Sequence, residues 1–201
     1  MLSDSMIRYY MSHEEAGHRL VVTPAPADVQ YQPASLELRL GGQFKNFVTP
    51  LNARNAQALD VTVPYPEDWT ETHTVKTVEG AEAFFQLDPG VFTLGTTIER
   101  IELPPGLAAR VEGKSSLARL GLMVHSTAGF VDPGFKGTIT LEMVNQNPRP
   151  LMLKIGMRIC QLSFFEMYGR VERPYGHPAL KSKYNNQSGV TESRAYNKGD
   201  V

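Results

Sequence analysis

Apolar and polar residues alternate in several short segments of the chain. The clearest is SLELRL at residues 35–40, in which every second side chain is leucine and Gly41-Gly42 follows. Because successive side chains of a strand point to opposite faces, this pattern predicts a half-buried strand that ends in a turn. Residues 138–143 alternate in the same way, with Thr140 and Glu142 on the polar face.

Strand-like segments recur at short spacing along the rest of the chain. Turn signals that contain Gly or Pro, such as Asp-Pro-Gly and Pro-Pro-Gly, separate most of them. The predicted strands are residues 59–63, 83–87, 91–94, 98–103, 107–111, 137–145, 151–154 and 158–165. Many short strands with such turns, and no long helical period, predict an all-β sandwich or barrel-like fold.

The two ends of the chain differ from this strand-rich middle. Residues 3–12 predict a short helix, because Ser3 or Asp4 can cap its start and its apolar side chains share one face. Residues 176–201 carry few apolar side chains, and this composition by itself favours a disordered tail. The cations and amides of the tail leave open the alternative that it closes over an anionic ligand.

Composition and charge exclude several classes of protein. The chain has 201 residues, 20 Lys and Arg against 21 Asp and Glu, and one Cys. One Cys cannot form an intrachain disulfide or a Cys-rich zinc site, and balanced charge argues against binding nucleic acid through a positive field. The apolar runs are too short for a membrane span or a signal peptide. We therefore expect a soluble intracellular protein of one larger β domain or barely two, with no nucleic-acid or membrane partner.

The densest group of candidate functional residues is residues 113–145. It opens with Gly113-Lys114-Ser115-Ser116, where backbone N–H groups and a Lys can bind phosphate, although a capped turn is the simpler interpretation. Arg119 would share a helical face with Ser115, and it is either a surface residue or a bidentate partner for an oxyanion.

Two carboxylates in this segment have similarly open interpretations. Glu142 belongs either to a solvated face of a sheet or to an enclosed pocket, where it could act as a general base. Asp132 starts an Asp-Pro-Gly turn, which is its simplest role. The histidine and cysteine pattern of zinc deaminases is absent, and Cys160 is predicted to be a small buried residue.

The segment GKSSLARLGL at residues 113–122 closely resembles the G-[RK]-S-S-L-[AG]-R-L-G-L signature of dCTP deaminases, which belong to the trimeric dUTPase-like superfamily. The resemblance continues through HSTA at 125–128, DPGF at 132–135, Leu141-Glu142 and KYNNQSG at 183–189. It covers roughly residues 30–41 and 80–195, with Glu37 where the family usually has Asp. Residues 42–79 match poorly.

The resemblance implies a mainly β fold of the distorted jelly-roll-like β-barrel type, with a short N-terminal helix and a flexible C-terminal tail. It implies a single domain over residues 1–201, with residues 176–201 as a lid, and a cytoplasmic homotrimer with active sites between subunits. The implied activity is zinc-independent hydrolytic deamination of dCTP, with Mg²⁺ carried by the triphosphate and dTTP as a feedback inhibitor.

The same resemblance assigns roles to individual residues. Glu142 matches the catalytic base, Ser115, Arg119 and Ala128 match the groups that orient water and base, and Asp132 matches the aspartate that contacts the sugar. The implied nucleotide-binding residues are Lys114, Ser115, Ser116, Leu117, Ala118, Arg119, Asp132, Thr140, Leu141, Glu142, Gln161, Tyr175, Lys183 and Gln187.

Some members of the family release dUTP, whereas others continue to dUMP and diphosphate. Gly129-Phe130 stands where deaminase-only enzymes typically have His-Arg, and Gln161 stands where a small residue is common in them. These positions resemble the dUMP-forming branch, in which Asp132 would also help to activate water against the α-phosphate. The alternatives are a deaminase that releases dUTP and a plain dUTPase, against which Glu142 argues.

Overall fold

The computed structural model describes residues 1–15, 17–48 and 58–196. Within these ranges the helices are α1 (Asp4–Ser12) and α2 (Ser115–Ala118). The strands are β1 (Val21–Thr23), β2 (Tyr31–Gln32), β3 (Ser35–Arg39), β4 (Gln43–Phe47), β5 (Thr70–Thr74), β6 (Phe84–Leu87), β7 (Phe92–Glu102), β8 (Leu107–Gly113), β9 (Leu122–Met123), β10 (Phe130–Val131), β11 (Lys136–Asn145), β12 (Leu151–Lys154) and β13 (Arg158–Glu166).

These strands form two larger antiparallel sheets and one two-stranded ribbon. The first sheet has the order β5-β4-β7-β11-β9, and β1 also pairs with β7. The second has the order β10-β8-β13-β3-β2, and β12 pairs with β6. The predicted mainly β fold is confirmed. One cluster of buried residues draws on both sheets, including Leu38 and Phe164 from the second sheet and Ile101 and Met143 from the first.

The predictions for three strands are wrong. Residues 91–94 and 98–103 belong to one strand, because β7 continues through Gly95 and pairs with β11 along most of its length. Residues 59–63 form no strand. There the Asp60 carboxylate accepts hydrogen bonds from the N–H and the hydroxyl of Thr62, which favours a turn, and Val61 and Val63 are exposed.

The predicted N-terminal helix is present as α1, and Ser3 caps it. The Ser3 hydroxyl accepts a hydrogen bond from the Met6 N–H, and Ile7 is fully buried beneath the helix. Tyr10 donates a 2.6 Å hydrogen bond from its hydroxyl to Glu166, which fastens α1 to the end of β13. No helix in the described ranges is long and apolar enough to cross a membrane.

β3 is buried on both faces, so the prediction of a half-buried strand is wrong. Glu37, on its polar face, is only 6% exposed. Its carboxylate forms ion pairs with Lys114 and with Arg158, the latter at 2.6 Å. A buried carboxylate is tolerated when cations pair with it, and the cations come from positions far away in sequence. The alternation of residues 35–40 therefore could not show that the polar face of β3 is also buried.

Cys160 is fully buried, as predicted. It lies in β13, where its partners are Leu38 of β3 and Gly113 of β8. Burial raises the pKa of the Cys160 thiol well above its ordinary value, and the nearby buried carboxylate of Glu99 adds to this effect. The thiol is therefore both protonated and shielded from solvent at neutral pH.

Candidate active site

The site is built on the polar face of β11. Burial alternates along this strand: Ile139, Leu141 and Met143 are buried, whereas Thr140 and Glu142 are half-buried. Because β7 places Thr96 opposite Thr140 and Leu94 opposite Glu142, this face continues across the sheet.

A cleft of about 510 Å³ opens over this face. Residues 113–145 line one part of the cleft, whereas much of its apolar wall and all of its C-terminal wall come from segments far away in sequence. Residues 113–145 contribute, among others, the polar residues His125, Asp132, Thr140 and Glu142 and the apolar residues Ala128 and Phe130. The rest of the apolar wall includes Phe47, Tyr65, Phe92 and Leu94, and the C-terminal wall is Tyr175, Tyr184, Gln187, Thr191, Glu192 and Ser193. Of the two interpretations left open for Glu142, the structure therefore favours the enclosed pocket.

Glu142 is held at the floor of the cleft by a backbone contact. Its Oε2 accepts a 3.1 Å hydrogen bond from the N–H of Ser126, which belongs to the loop after β9. This bond restrains the carboxylate while leaving its side chain on the cleft surface. A restrained, half-buried carboxylate is suited to accept a proton from water or from a ligand.

Two buried polar atoms beside Glu142 have no hydrogen-bond partner among the residues that the structure describes. They are Nδ1 of His125 and Oγ1 of Thr140, and both residues line the cleft. Buried polar atoms in folded proteins nearly always have a partner. The cleft is therefore prepared for a ligand that carries hydrogen-bonding groups.

Gly129 occupies a position with no space for a side chain. A Cβ there would lie 2.9 Å from the carbonyl oxygen of Val111 and 3.2 Å from Cε1 of His125. The Gly129 carbonyl accepts a 2.7 Å hydrogen bond from the Val111 N–H, so the close approach is fixed by the backbone. The glycine thus allows the loop that carries Ala128 to pack against β8 and His125.

Asp132 both starts a turn and lines the cleft. The Phe135 N–H donates to the Asp132 carbonyl, which closes the predicted Asp-Pro-Gly turn, and the Asp132 side chain is exposed. The Tyr175 N–H donates to the carbonyl of Pro133 at 2.7 Å and so attaches the C-terminal segment to this turn. Partial burial is the main reason why the pKa of Tyr175 is raised above its usual range.

The C-terminal segment lies along β11, across the cleft. Gln187 donates from Nε2 to the carbonyl of Thr138 at 2.7 Å, and Asn186 donates from its N–H to the carbonyl of Lys136. Lys183 approaches the carbonyl of Ala195 at 3.5 Å. Composition alone favoured disorder for this segment, because it has few apolar side chains. The structure orders it through hydrogen bonds to the backbone of β11.

The phosphate-binding motif predicted from sequence lies outside the cleft lining of the same chain. On and beside α2, Ser115, Ser116, Ala118 and Arg119 are exposed, and Leu117 packs against the core. These residues therefore present hydrogen-bonding groups to the surface rather than to Glu142.

Three other predicted binding residues are engaged within the fold. Lys114 is ion-paired with Glu37, and its side chain is 16% exposed. Gln161 donates to the carbonyl of Gly113 at 3.1 Å and accepts from the Ser35 hydroxyl. It therefore links the start of the motif, at Gly113, to β3. The Leu141 side chain is fully buried in the core.

Sequence reasoning singled out Ala128 and Phe130 but missed the rest of the apolar wall and the end of the C-terminal wall. Phe47 packs near Tyr65 and Phe92, with ring centroids 5.4 Å and 6.4 Å away. No local pattern marks these residues, because they come from β4, from the segment before β5 and from β7. Among the described residues, no group of three or more His, Cys, Asp or Glu side chains is placed to hold a metal ion.

Comparison with known proteins identifies close relatives over nearly the whole chain. A family model described as dCTP deaminase-like matches residues 1–167. A protein of Dictyoglomus turgidum named dCTP deaminase, dUMP-forming, is 45% identical over 195 residues, which are 96% of this chain and 94% of the relative. A protein of Methanosphaera stadtmanae with the same name is 41% identical over 206 residues, covering 100% of this chain and 96% of the relative.

A third relative and a solved structure agree with this grouping. A Natronomonas pharaonis protein named dCTP deaminase is 42% identical over 198 residues, covering 96% of this chain and 94% of the relative. The crystal structure of the 2'-deoxycytidine 5'-triphosphate deaminase of Agrobacterium tumefaciens matches with a TM-score of 0.57 and 22% identity. That match covers 86% of this chain and 49% of the solved chain, and it supports the fold alone.

Proposed function

This chain belongs to the dCTP deaminase-like family, and from that premise we propose that it is a dUMP-forming dCTP deaminase. The enzyme hydrolyses the amino group from the cytosine ring of dCTP and cleaves the triphosphate, giving dUMP, diphosphate and ammonia. The dUMP would supply dTTP synthesis. The observation that carries the proposal is Glu142, a restrained carboxylate at the floor of a cleft in a chain related to dUMP-forming enzymes over almost its full length.

Deamination needs a group that relays protons. Water adds to C4 of cytosine and the bond from C4 to the amino nitrogen breaks. Both protons leave the water oxygen: one goes to N3 of the ring, and the other must be carried to the departing amino nitrogen. The Ser126 N–H holds Oε2 of Glu142, and Oε1 is the oxygen that would carry this proton. His125 Nδ1 and Thr140 Oγ1 would bond the base or the water. The C4 carbonyl of uracil and ammonia result.

Cleavage of the triphosphate uses the other side of the cleft. A second water attacks the α-phosphate, the bond to the β-phosphate breaks, and diphosphate leaves. The exposed carboxylate of Asp132 would contact the sugar 3'-hydroxyl and help to activate this water, and Gly129 and Phe130 shape the loop beside it. Mg²⁺ would arrive bound to the substrate phosphates, whose charge it partly neutralises.

A second copy of the chain would complete the cleft. Ser115 and Arg119 are exposed and lie outside the cleft lining of their own chain, although the family resemblance assigns them to water and base. In a homotrimer, α2 of one copy would face the cleft of its neighbour. Residues 1–201 would act as one domain with residues 176–201 as its lid, in the cytoplasm, and dTTP would inhibit by occupying the same cleft.

Incubation with dCTP and Mg²⁺, followed by separation of the products, tests this function. We expect dUMP, diphosphate and ammonia. Accumulation of dUTP would indicate a deaminase that stops after the first step, and conversion of dUTP but not dCTP would indicate a plain dUTPase.

Glu142→Gln keeps the shape of the side chain and removes the proton acceptor. We expect ammonia release from dCTP to fall by roughly 10²–10⁴-fold, the range for loss of a general base, while added dUTP is still cleaved. Unchanged ammonia release would overturn the role of Glu142. The matched control is Glu102→Gln, which alters a carboxylate of β7 outside the cleft lining.

A further inference from the structure

The stretch before β6 and the C-terminal segment meet beside the cleft. β4 pairs with β5 in register Lys45 to Thr72, and both belong to the stretch that resembles the family poorly. Glu192, near the end of the described chain, forms an ion pair with Lys45. Its other carboxylate oxygen, Oε2, accepts a 2.8 Å hydrogen bond from the hydroxyl of Tyr65. We call Lys45, Tyr65 and Glu192 the tail latch.

The position of Lys45 gives the latch its strength. Its side chain is 16% exposed, whereas that of Glu192 is 38% exposed. An ammonium group largely removed from water requires a counter-charge, and a pair shielded in this way is weakened less by salt than a surface pair. The tyrosine hydroxyl satisfies the second carboxylate oxygen, so the anion is bonded from two directions.

Lys45 of the tail latch lies on the same face of the sheet as Glu142. Lys45 is opposite Leu94 in the pairing of β4 with β7, and Leu94 is opposite Glu142 in the pairing of β7 with β11. Residues directly opposite one another on antiparallel strands share a face of the sheet. Lys45 and Glu142 therefore lie on the same face, with one strand between them, and Glu192 is brought to the cleft wall over this face.

The C-terminal segment is thus attached to the sheet on both sides of Gly189. Gln187 fixes it to β11, and Glu192 fixes it to β4 and Tyr65. Between these points Gly189 lies so close to Gln43 that a Cβ would come within 2.2 Å of Oε1. Release of Glu192 would leave the first attachment intact and loosen the segment beyond Gly189, where the Arg194 N–H still donates a 2.9 Å hydrogen bond to the Tyr184 hydroxyl within the same segment.

We propose that Lys45 and Tyr65 are positioning residues, which act through Glu192 to hold the C-terminal segment closed over the nucleotide cleft. The purpose of this closure rests on the proposed function, but the latch itself does not. Residues 42–79, which resemble the family poorly, thereby acquire a role: they provide Lys45 and Tyr65, which bind the C-terminal segment.

Charge reversal tests the latch. Lys45→Glu and Glu192→Lys each place like charges together, and the double variant restores an opposite pair with its direction exchanged. The first readout is the rate at which chymotrypsin cuts after Tyr196, in the segment beyond Gly189, followed by mass spectrometry without nucleotide. We expect each single variant to be cut at least about fivefold faster than the wild type, and the double variant to return to within about twofold of it.

The second readout is the kinetics with dCTP. In each single variant KM should rise about tenfold while kcat falls less, because closure affects the capture of nucleotide more than the chemical step. The double variant should recover most of this loss. The control Lys154→Glu reverses the charge of an exposed lysine on β12 that pairs with Glu82, and it should change neither readout.

Two outcomes would overturn the latch: wild-type cleavage rates in both single variants, or a double variant no better than the worse single one. Tyr65→Phe removes only the hydrogen bond, and a two- to threefold faster cut is expected there if a charge variant fails to fold. Proteolysis needs no turnover. A protein that shows the expected cleavage pattern but does not convert dCTP would refute the proposed function and keep the latch.

Discussion

At the scale of single residues, the absence of a side chain at Gly129 lets the loop beside the cleft pack closely. It stands beside Ala128 on the loop that enters the cleft, and a Cβ at this position would press on a backbone oxygen, which cannot move as a flexible side chain can. The resemblance to dUMP-forming enzymes singled out this glycine, and the structure supplies a steric reason for it.

Gly129→Ala should therefore affect both stability and activity. Overpacking of this kind costs about 1–3 kcal/mol, so the urea midpoint should fall, and displacement of His125 should lower turnover of dCTP by at least about tenfold. Gly106→Ala is the matched control, because a Cβ there meets nothing within 4 Å. Equal urea midpoints and turnover rates for the two variants would show that the loop tolerates a side chain.

Buried charges are the residues that sequence reasoning predicted least well. Glu99 has no exposed surface, and its carboxylate accepts from Nε of Arg39 at 2.6 Å and from Gln30 at 3.0 Å. Glu37 is buried by the same means. In a sequence both look like solvated residues of an alternating strand, since the partners that neutralise them come from other strands.

At the scale of elements, α1 is fastened to β13 by the contact between Tyr10 and Glu166. The hydrogen bond to Glu166, followed by burial and the negative charge of Glu166, raises the pKa of Tyr10 from 10.0 to about 12. The folded protein therefore retains the phenol proton at a pH at which the unfolded chain has lost it.

The stability that Tyr10 contributes should consequently depend on alkaline pH. It is fully present below pH 10 and is lost as the pH rises through about 12, because the folded state then binds more protons than the unfolded state. The difference in free energy of unfolding between wild type and Tyr10→Phe should shrink over this interval, as measured by urea titration. Tyr9→Phe, on an exposed residue of the same helix, is the control; a constant difference for Tyr10→Phe would contradict the prediction.

The elements that the sequence predicted correctly are those whose pattern is local. α1 has its cap and its apolar face within ten residues, and β11 has strict alternation. The failures depend on distant parts of the chain: residues 59–63 alternate but have no partner strand, and residues 176–196 carry few apolar side chains but bond to β11. Likewise, the motif from 113 to 145 supplied the polar lining of the cleft, whereas Phe47 and Glu192 could be found only after folding.

At the scale of the whole molecule, the separation of α2 from its own cleft is the main feature. Arg119 is exposed on one part of the surface, and Glu142 lies in the cleft on another. If neighbouring copies exchange these groups, an active site contains Glu142 from one chain and Arg119 from the next.

Mixing two inactive variants should then restore activity. Random trimers of Glu142→Gln and Arg119→Ala chains contain about a quarter of sites in which both groups are native. We expect co-expressed chains to regain up to about that fraction of wild-type turnover, and sedimentation to give three times the mass of one chain. No recovery in trimers shown to be mixed would place both groups in the same chain. A mixture of purified variants that do not exchange subunits is the control.

The buried position of Cys160 makes its thiol a natural probe of how often the second sheet opens. As the only thiol in the chain, enclosed between β3 and β8, it can react with a disulfide reagent only after these strands separate. The labelling rate in native buffer therefore measures the opening of the second sheet at one internal position, without any engineered probe. The same enclosure should let the protein be stored in air without a reducing agent and without covalent dimers forming.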